Sequence, residues 1–104
     1  MQASYAAYFS REMGCTEREW LGLLPDAIGA HGWQREGGSV HVTVQQEGQT
    51  LGGLRIHWSV GPLRRIASIA LPCLHVSFAF EGLDEAQRYT FMRRFDLYMH
   101  RGGG

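Results

Sequence analysis

Three histidines carry the most specific chemical pattern in the chain. His41, His57 and His75 each alternate with apolar residues in strand-like stretches, so all three are expected on the polar face of one sheet. Pairing Val42 with Ile56 and Val44 with Leu54 would set His41 directly across from His57. His75 would share that surface with Thr43, Arg55, Ser59 and Ser77. Three converging imidazoles can hold zinc and leave a fourth position open. Against this, in a meander His75 stands two strands from His57, about 10 Å away, and Arg55 beside them opposes a cation. A solvated or partner-covered polar face is the commoner role for such residues. Cys73-Leu-His75 offers a further pair of ligands on one side of a strand, a weak signal by itself.

The arginines suggest a different chemistry, because guanidinium forks bind carboxylate and phosphate bidentately. A pocket for a small anion held by Arg55 or Arg65 with His57, between sheet and helices, with or without enzymatic activity, is the alternative function expected for this chain. Arg64-Arg65, Arg88 and Arg93-Arg94 could also clamp an anion together. The competing expectation pairs Arg88 with Asp84, and Arg93 or Arg94 with nearby acids.

Catalytic patterns are missing. The sequence has no Gly-x-Ser-x-Gly elbow, no His-Glu-x-x-His helix and no usefully spaced carboxylate pair. All 10 basic residues are Arg, so a Walker A lysine, a pyridoxal Schiff base and a lysine base are excluded. No catalytic residue and no cofactor is therefore implied. The absence of Lys and Asn fits a GC-rich coding sequence and carries no function of its own. Cys15 and Cys73 are far apart and read as small buried apolar residues rather than a disulfide or a reactive thiol.

The elements that must position these residues follow from periodicity. Tyr5, Tyr8, Phe9 and Met13 fall on one face of a helix over Ser4–Met13, which Gly14 would stop. Thr16-Glu-Arg-Glu19 is a capping box that starts a second helix, with Cys15 and Trp20 as its staple. Pro25 predicts a break or kink there and a fresh turn to Ala30. Strands follow at Ser39–Gln45 and Leu54–Val60, joined by a loop at Gly48-Gln49-Thr50, while Arg35-Glu-Gly-Gly38 reads as loop. Arg65–Leu71 is a third strand with poor alternation, and Leu74–Phe80 a fourth. Pro72 marks either a tight turn between these two or a bulge in one bent strand. Phe78 and Phe80 fall on the core face, where they cannot stack on bases. Asp84-x-x-Gln87 caps a final helix whose face is Phe91, Met92, Phe95, Tyr98 and Met99.

The expected architecture is thus α+β: one two-layer domain over residues 1–101 in the order ααββββα, then a flexible Gly tail at 102–104. An antiparallel meander carries the helices on one face. At 104 residues and 44% hydrophobic content the chain has room for one core without staples. No apolar run is long enough to span a membrane and no signal peptide is apparent, so a cytoplasmic protein with no membrane partner is expected. The charge is +0 overall. Residues 1–50 hold three Arg against six acids and residues 51–104 seven Arg against four, and no acid lies between Glu47 and Glu81. A general nucleic-acid binder is far more basic, so nucleic acid is not an expected partner. The surplus of aromatics, the missing catalytic groups and an exposed sheet edge favour a non-enzymatic binding or interaction domain that forms a homodimer.

Overall fold

The capping signals in the sequence form both helices. In the computed structural model, which describes residues 2–101, α1 runs Glu17–Ile28 and α2 runs Glu85–Arg101. Thr16 Oγ1 accepts from Glu19 N–H while Glu19 returns a bond to Thr16 N–H, at 3.1 and 2.9 Å. Asp84 and Gln87 make the same reciprocal exchange at the start of α2. Pro25 does not break α1. It lies in the last turn, where the missing N–H removes one hydrogen bond, and the buried Ala27 and Ile28 beyond it hold the helix on course.

The strands are β1 (Tyr8–Met13), β2 (Gly32–Glu36), β3 (Ser39–Gln46), β4 (Gln49–Val60), β5 (Arg64–Ile66), β6 (Ile69–Leu71) and β7 (Leu74–Glu81). Five of them make one antiparallel sheet in the order β1-β7-β4-β3-β2, and β5 pairs only with β6. The sheet's inner face supplies Val40, Val42, Val44, Leu54, Ile56, Trp58, Leu74, Val76 and Phe78, all buried. Trp20, Leu24 and Ile28 of α1 and Phe91, Met92, Phe95 and Met99 of α2 close over it. The α+β class, with helices on one side of an antiparallel sheet, is as the periodicity requires.

The first element differs: Tyr8–Met13 is a strand, where a helix was expected. Phe9 and Met13 do point inward, but between them stands Arg11, whose charge meets the buried carboxylate of Asp96 at 2.8 Å. An inward arginine disguises the period of 2 as a helical spacing, and only the free edge of β7 supplies the hydrogen bonds that settle the matter. Tyr8 consequently points outward, while Tyr5, ahead of the strand, is buried and donates to Asp96.

Three hairpins also depart from expectation. Arg35 and Glu36 belong to the exposed strand β2, which turns into β3 through Gly37-Gly38, with Gly37 at φ 59°. The β3–β4 turn centres on Glu47 and Gly48, both left-handed at φ 52° and 78°, rather than on Gly48-Gln49-Thr50. Arg65–Leu71 is not one strand but the β5–β6 hairpin, and Pro72 lies between it and β7. The Gly102–Gly104 tail lies outside the described residues.

Candidate functional site

The earlier β3–β4 turn resets the register and with it the polar face. His41 stands opposite Arg55, not His57, and His57 stands opposite Ser39. On its other side His57 faces Ser77, and its Nδ1 lies 2.9 Å from Ser39 Oγ. His75 sits between Ser59 of β4 and Glu12 of β1. The sheet therefore puts His41, His57 and His75 on one solvent-facing surface, as alternation requires, but in three different rows across it. They do not converge. Among the described residues, the side chains whose ligand atoms lie within 4.8 Å of one another are Glu12, Cys73 and His75.

The anion candidates are also separated. Arg55 and His57 lie on the helix-free face, whereas Arg65 is exposed on the β5–β6 hairpin. Arg64, beside it, bonds both oxygens of Glu12 at 2.8 and 2.9 Å. Arg88 does not pair with Asp84. It donates to the carbonyls of Tyr5 and Leu83, 2.8 Å each, and so staples the entry of β1 to the start of α2. Arg94 lies over the Tyr98 ring and donates to the Asp26 carbonyl. Arg64, Arg88 and Arg94 are thus held by separate structural partners, and the candidate cations form no common clamp.

Both cysteines are buried free thiols. Cys73 Sγ donates to Glu12 Oε2 at 3.0 Å. That bond, with burial, pushes the Cys73 thiol above its ordinary value, and the thiol and Arg64 hold Glu12 below the carboxylate range. The sulfur thus keeps its proton and is not an activated nucleophile. Burial raises Cys15 likewise.

No family model, curated protein or solved structure matches this chain.

The surface itself must then identify the site, and one feature breaks the pattern of apolar-in and polar-out. The β5–β6 hairpin leaves the sheet after β4 and returns at Pro72, so that it forms an arm. Its two ends are tied by Gly61 N–H donating to the Cys73 carbonyl at 2.9 Å and by the Arg64–Glu12 ion pair. Beyond these ties the arm stands clear of the core cluster. Cross-strand partners share a face, so Ile66 and Ile69, paired directly, lie on the same side as Leu71. Ile66 is 63% exposed, Ile69 59% and Leu63 57%, and Val60 at the arm's root is exposed as well. Here is an apolar stripe that the chain builds and does not bury.

Sequence reasoning missed this arm because its turn, Ala67-Ser68, lacks the Gly or Asn that marks a hairpin. Ala67 takes the left-handed conformation at φ 55° nonetheless. The signal that could have found it is the spacing of Ile66 and Ile69. Three residues apart, they cannot share a face of one strand, but across a two-residue turn they must.

A second concavity lies at the opposite end of the sheet, between the β3–β4 hairpin and α2. It has a volume of about 480 Å³ and is lined by Val44, Leu51 and Phe91, with His31 and Arg94 at its polar positions. His31 Nδ1 accepts from Gln45 N–H, and burial, followed by the Arg94 charge, holds the imidazole below its ordinary pKa. This is an apolar cleft with a neutral imidazole and a tethered cation, and it contains none of Arg55, His57 or Arg65.

Proposed function

We propose that this protein is a non-enzymatic interaction domain that works as a homodimer, with the β5–β6 arm as its principal contact. The observation that carries this reading is the solvent exposure of Ile66 and Ile69 on a hairpin outside the core, with Leu63 exposed just ahead of it. A two-stranded hairpin with three residues in each strand is marginal in water, and an apolar stripe on it gains nothing until something covers it.

A second copy is the occupant that suits the stripe. Ile66, Ile69 and Leu71 form an apolar surface on one side of the hairpin, and a two-fold axis through it would bury the same patch on both chains at once. Arg64, the first residue of β5, is neutralised by Glu12, which leaves Arg65 as the arm's other cation, and the whole chain carries +0 charge, so long-range repulsion between two copies is small. The elongated outline, 49 × 29 × 22 Å, leaves the rest of the surface accessible after such pairing. The polar face that bears His41, Arg55 and His57 would then be presented twice by one rigid dimer, as a bivalent binding module requires.

Sedimentation equilibrium of the untagged protein tests the proposal. A dimer at micromolar concentration is the expected result. A monomer throughout the micromolar range would overturn it.

A further inference from the structure

We propose that Glu12, Cys73 and His75 form a binding site for a zinc-like transition-metal ion at the root of the arm. Glu12 and His75 are direct cross-strand partners on β1 and β7, and Cys73 precedes β7 by one residue, two positions from His75. Their donor atoms already lie within 4.8 Å of one another. In a tetrahedral zinc site, with metal–ligand distances of about 2.0 to 2.3 Å, the donors are some 3 to 4 Å apart. The three groups need to close in by only a fraction of that spacing.

The donor set selects the ion. A thiolate and an imidazole favour zinc, cobalt or copper over magnesium or calcium, which prefer all-oxygen shells. Three protein ligands leave the fourth position to water, and two of the three, Glu12 and Cys73, border an open hollow of about 230 Å³. Local geometry is also suited to a packed imidazole. The backbone of Gly61 passes so close to His75 that a Cβ there would stand 2.6 Å from Nε2 and 3.5 Å from the Cys73 carbonyl oxygen. Glycine at 61 lets the ring lie against the strap that closes the arm.

Arg64 now occupies the Glu12 carboxylate, and binding of the ion exchanges one cation for another. The Cys73 proton passes to solvent as the sulfur becomes a thiolate ligand, Glu12 leaves Arg64 for the metal, and a dication meets two negative ligands. Arg64 is the first residue of β5, so the same exchange unties the arm from β1 while the metal ties β1 to β7. The site thereby links metal occupancy to the setting of the arm, and it stands independently of what the arm contacts.

Cobalt(II) as a spectroscopic probe tests the site in the reduced, untagged full chain. The expected result is one equivalent of Co²⁺ bound, with a thiolate-to-cobalt charge-transfer band and the intense visible bands of tetrahedral coordination. Cys73→Ser removes the charge-transfer band, while Cys15→Ser keeps it. In competition with a chromophoric chelator, His75→Ala and Glu12→Gln each weaken Zn²⁺ binding by roughly a hundredfold, and Arg64→Gln strengthens it by about tenfold. The two exposed positions, 12 and 75, keep the test valid should Cys73→Ser fail to fold. A pale octahedral cobalt spectrum with no thiolate band would overturn the proposal, as would Zn²⁺ affinity unchanged in His75→Ala and Glu12→Gln.

Discussion

The apolar arm gives a quantitative prediction for association. In the double variant Ile66→Glu/Ile69→Glu, two side chains that are 63% and 59% exposed in the single chain become charged. Full burial of an isoleucine contributes about 1.5 to 3 kcal/mol, so covering the exposed share of each contributes roughly 1 to 2 kcal/mol. A two-fold interface contains two copies of both positions. Replacing all four should therefore remove about 4 to 8 kcal/mol of association energy, before any desolvation of the glutamates is counted. At about 1.4 kcal/mol per decade, the dimer dissociation constant rises at least roughly a thousandfold, enough to take a micromolar dimer to a monomer. The assay is sedimentation equilibrium over the micromolar range on both proteins. Urea unfolding of the monomeric state is the control. Since neither isoleucine belongs to the core cluster, its free energy should stay within about 0.5 kcal/mol. A double variant that sediments like the parent would refute the assignment of the arm as the interface.

Three further outcomes follow from individual contacts. Asp96→Ala removes the buried carboxylate that Arg11 and Tyr5 share, and should destabilise by about 3 to 5 kcal/mol in urea titrations; a loss below about 1 kcal/mol would mean the Arg11 charge is well solvated without it. Tyr5 is held protonated up to about 12, first by burial and then by its bond to Asp96, against 10.0 for an ordinary tyrosine. Its contribution is therefore complete below pH 10 and is lost as pH rises to about 12, as the unfolded chain ionises first. The linked loss reaches about 2 to 3 kcal/mol, and Tyr5→Phe should flatten the decline between those limits; an unchanged profile would contradict the assignment. Finally, Ala67→Gly relieves a left-handed alanine at φ 55°. It should slow amide hydrogen exchange in β5–β6 by about threefold, and faster exchange would show that the turn is not the weak point of the arm.

The sequence determined whatever depends on near neighbours. Both capping boxes form as their spacing demands, at Thr16–Glu19 and Asp84–Gln87. The alternation through Val40–Val44, Leu54–Trp58 and Leu74–Phe80 correctly separates a buried face from a solvent face that bears His41, His57 and His75. The α+β class with one layer of helices follows from those periods, because each amphipathic element has a single apolar side to cover.

Tertiary structure decided what depends on pairing. Arg11 conceals β1 until Asp96, far along the chain, neutralises it. The Glu47-Gly48 turn and a bulge after Val44 shift β3 against β4, so that His41 meets Arg55 and the three histidines stay apart. Ala67 turns the chain without the residue types that announce a turn, which converts a poor strand into an exposed arm. Glu12 reaches Cys73 and His75 because β1 closes the edge of β7, a contact set by the free hydrogen-bonding groups of that edge. Local propensities are short-ranged, whereas strand register and edge pairing are fixed by the summed burial and hydrogen bonding of residues distant in sequence. The candidate interface and the candidate metal site are both products of that second kind of choice.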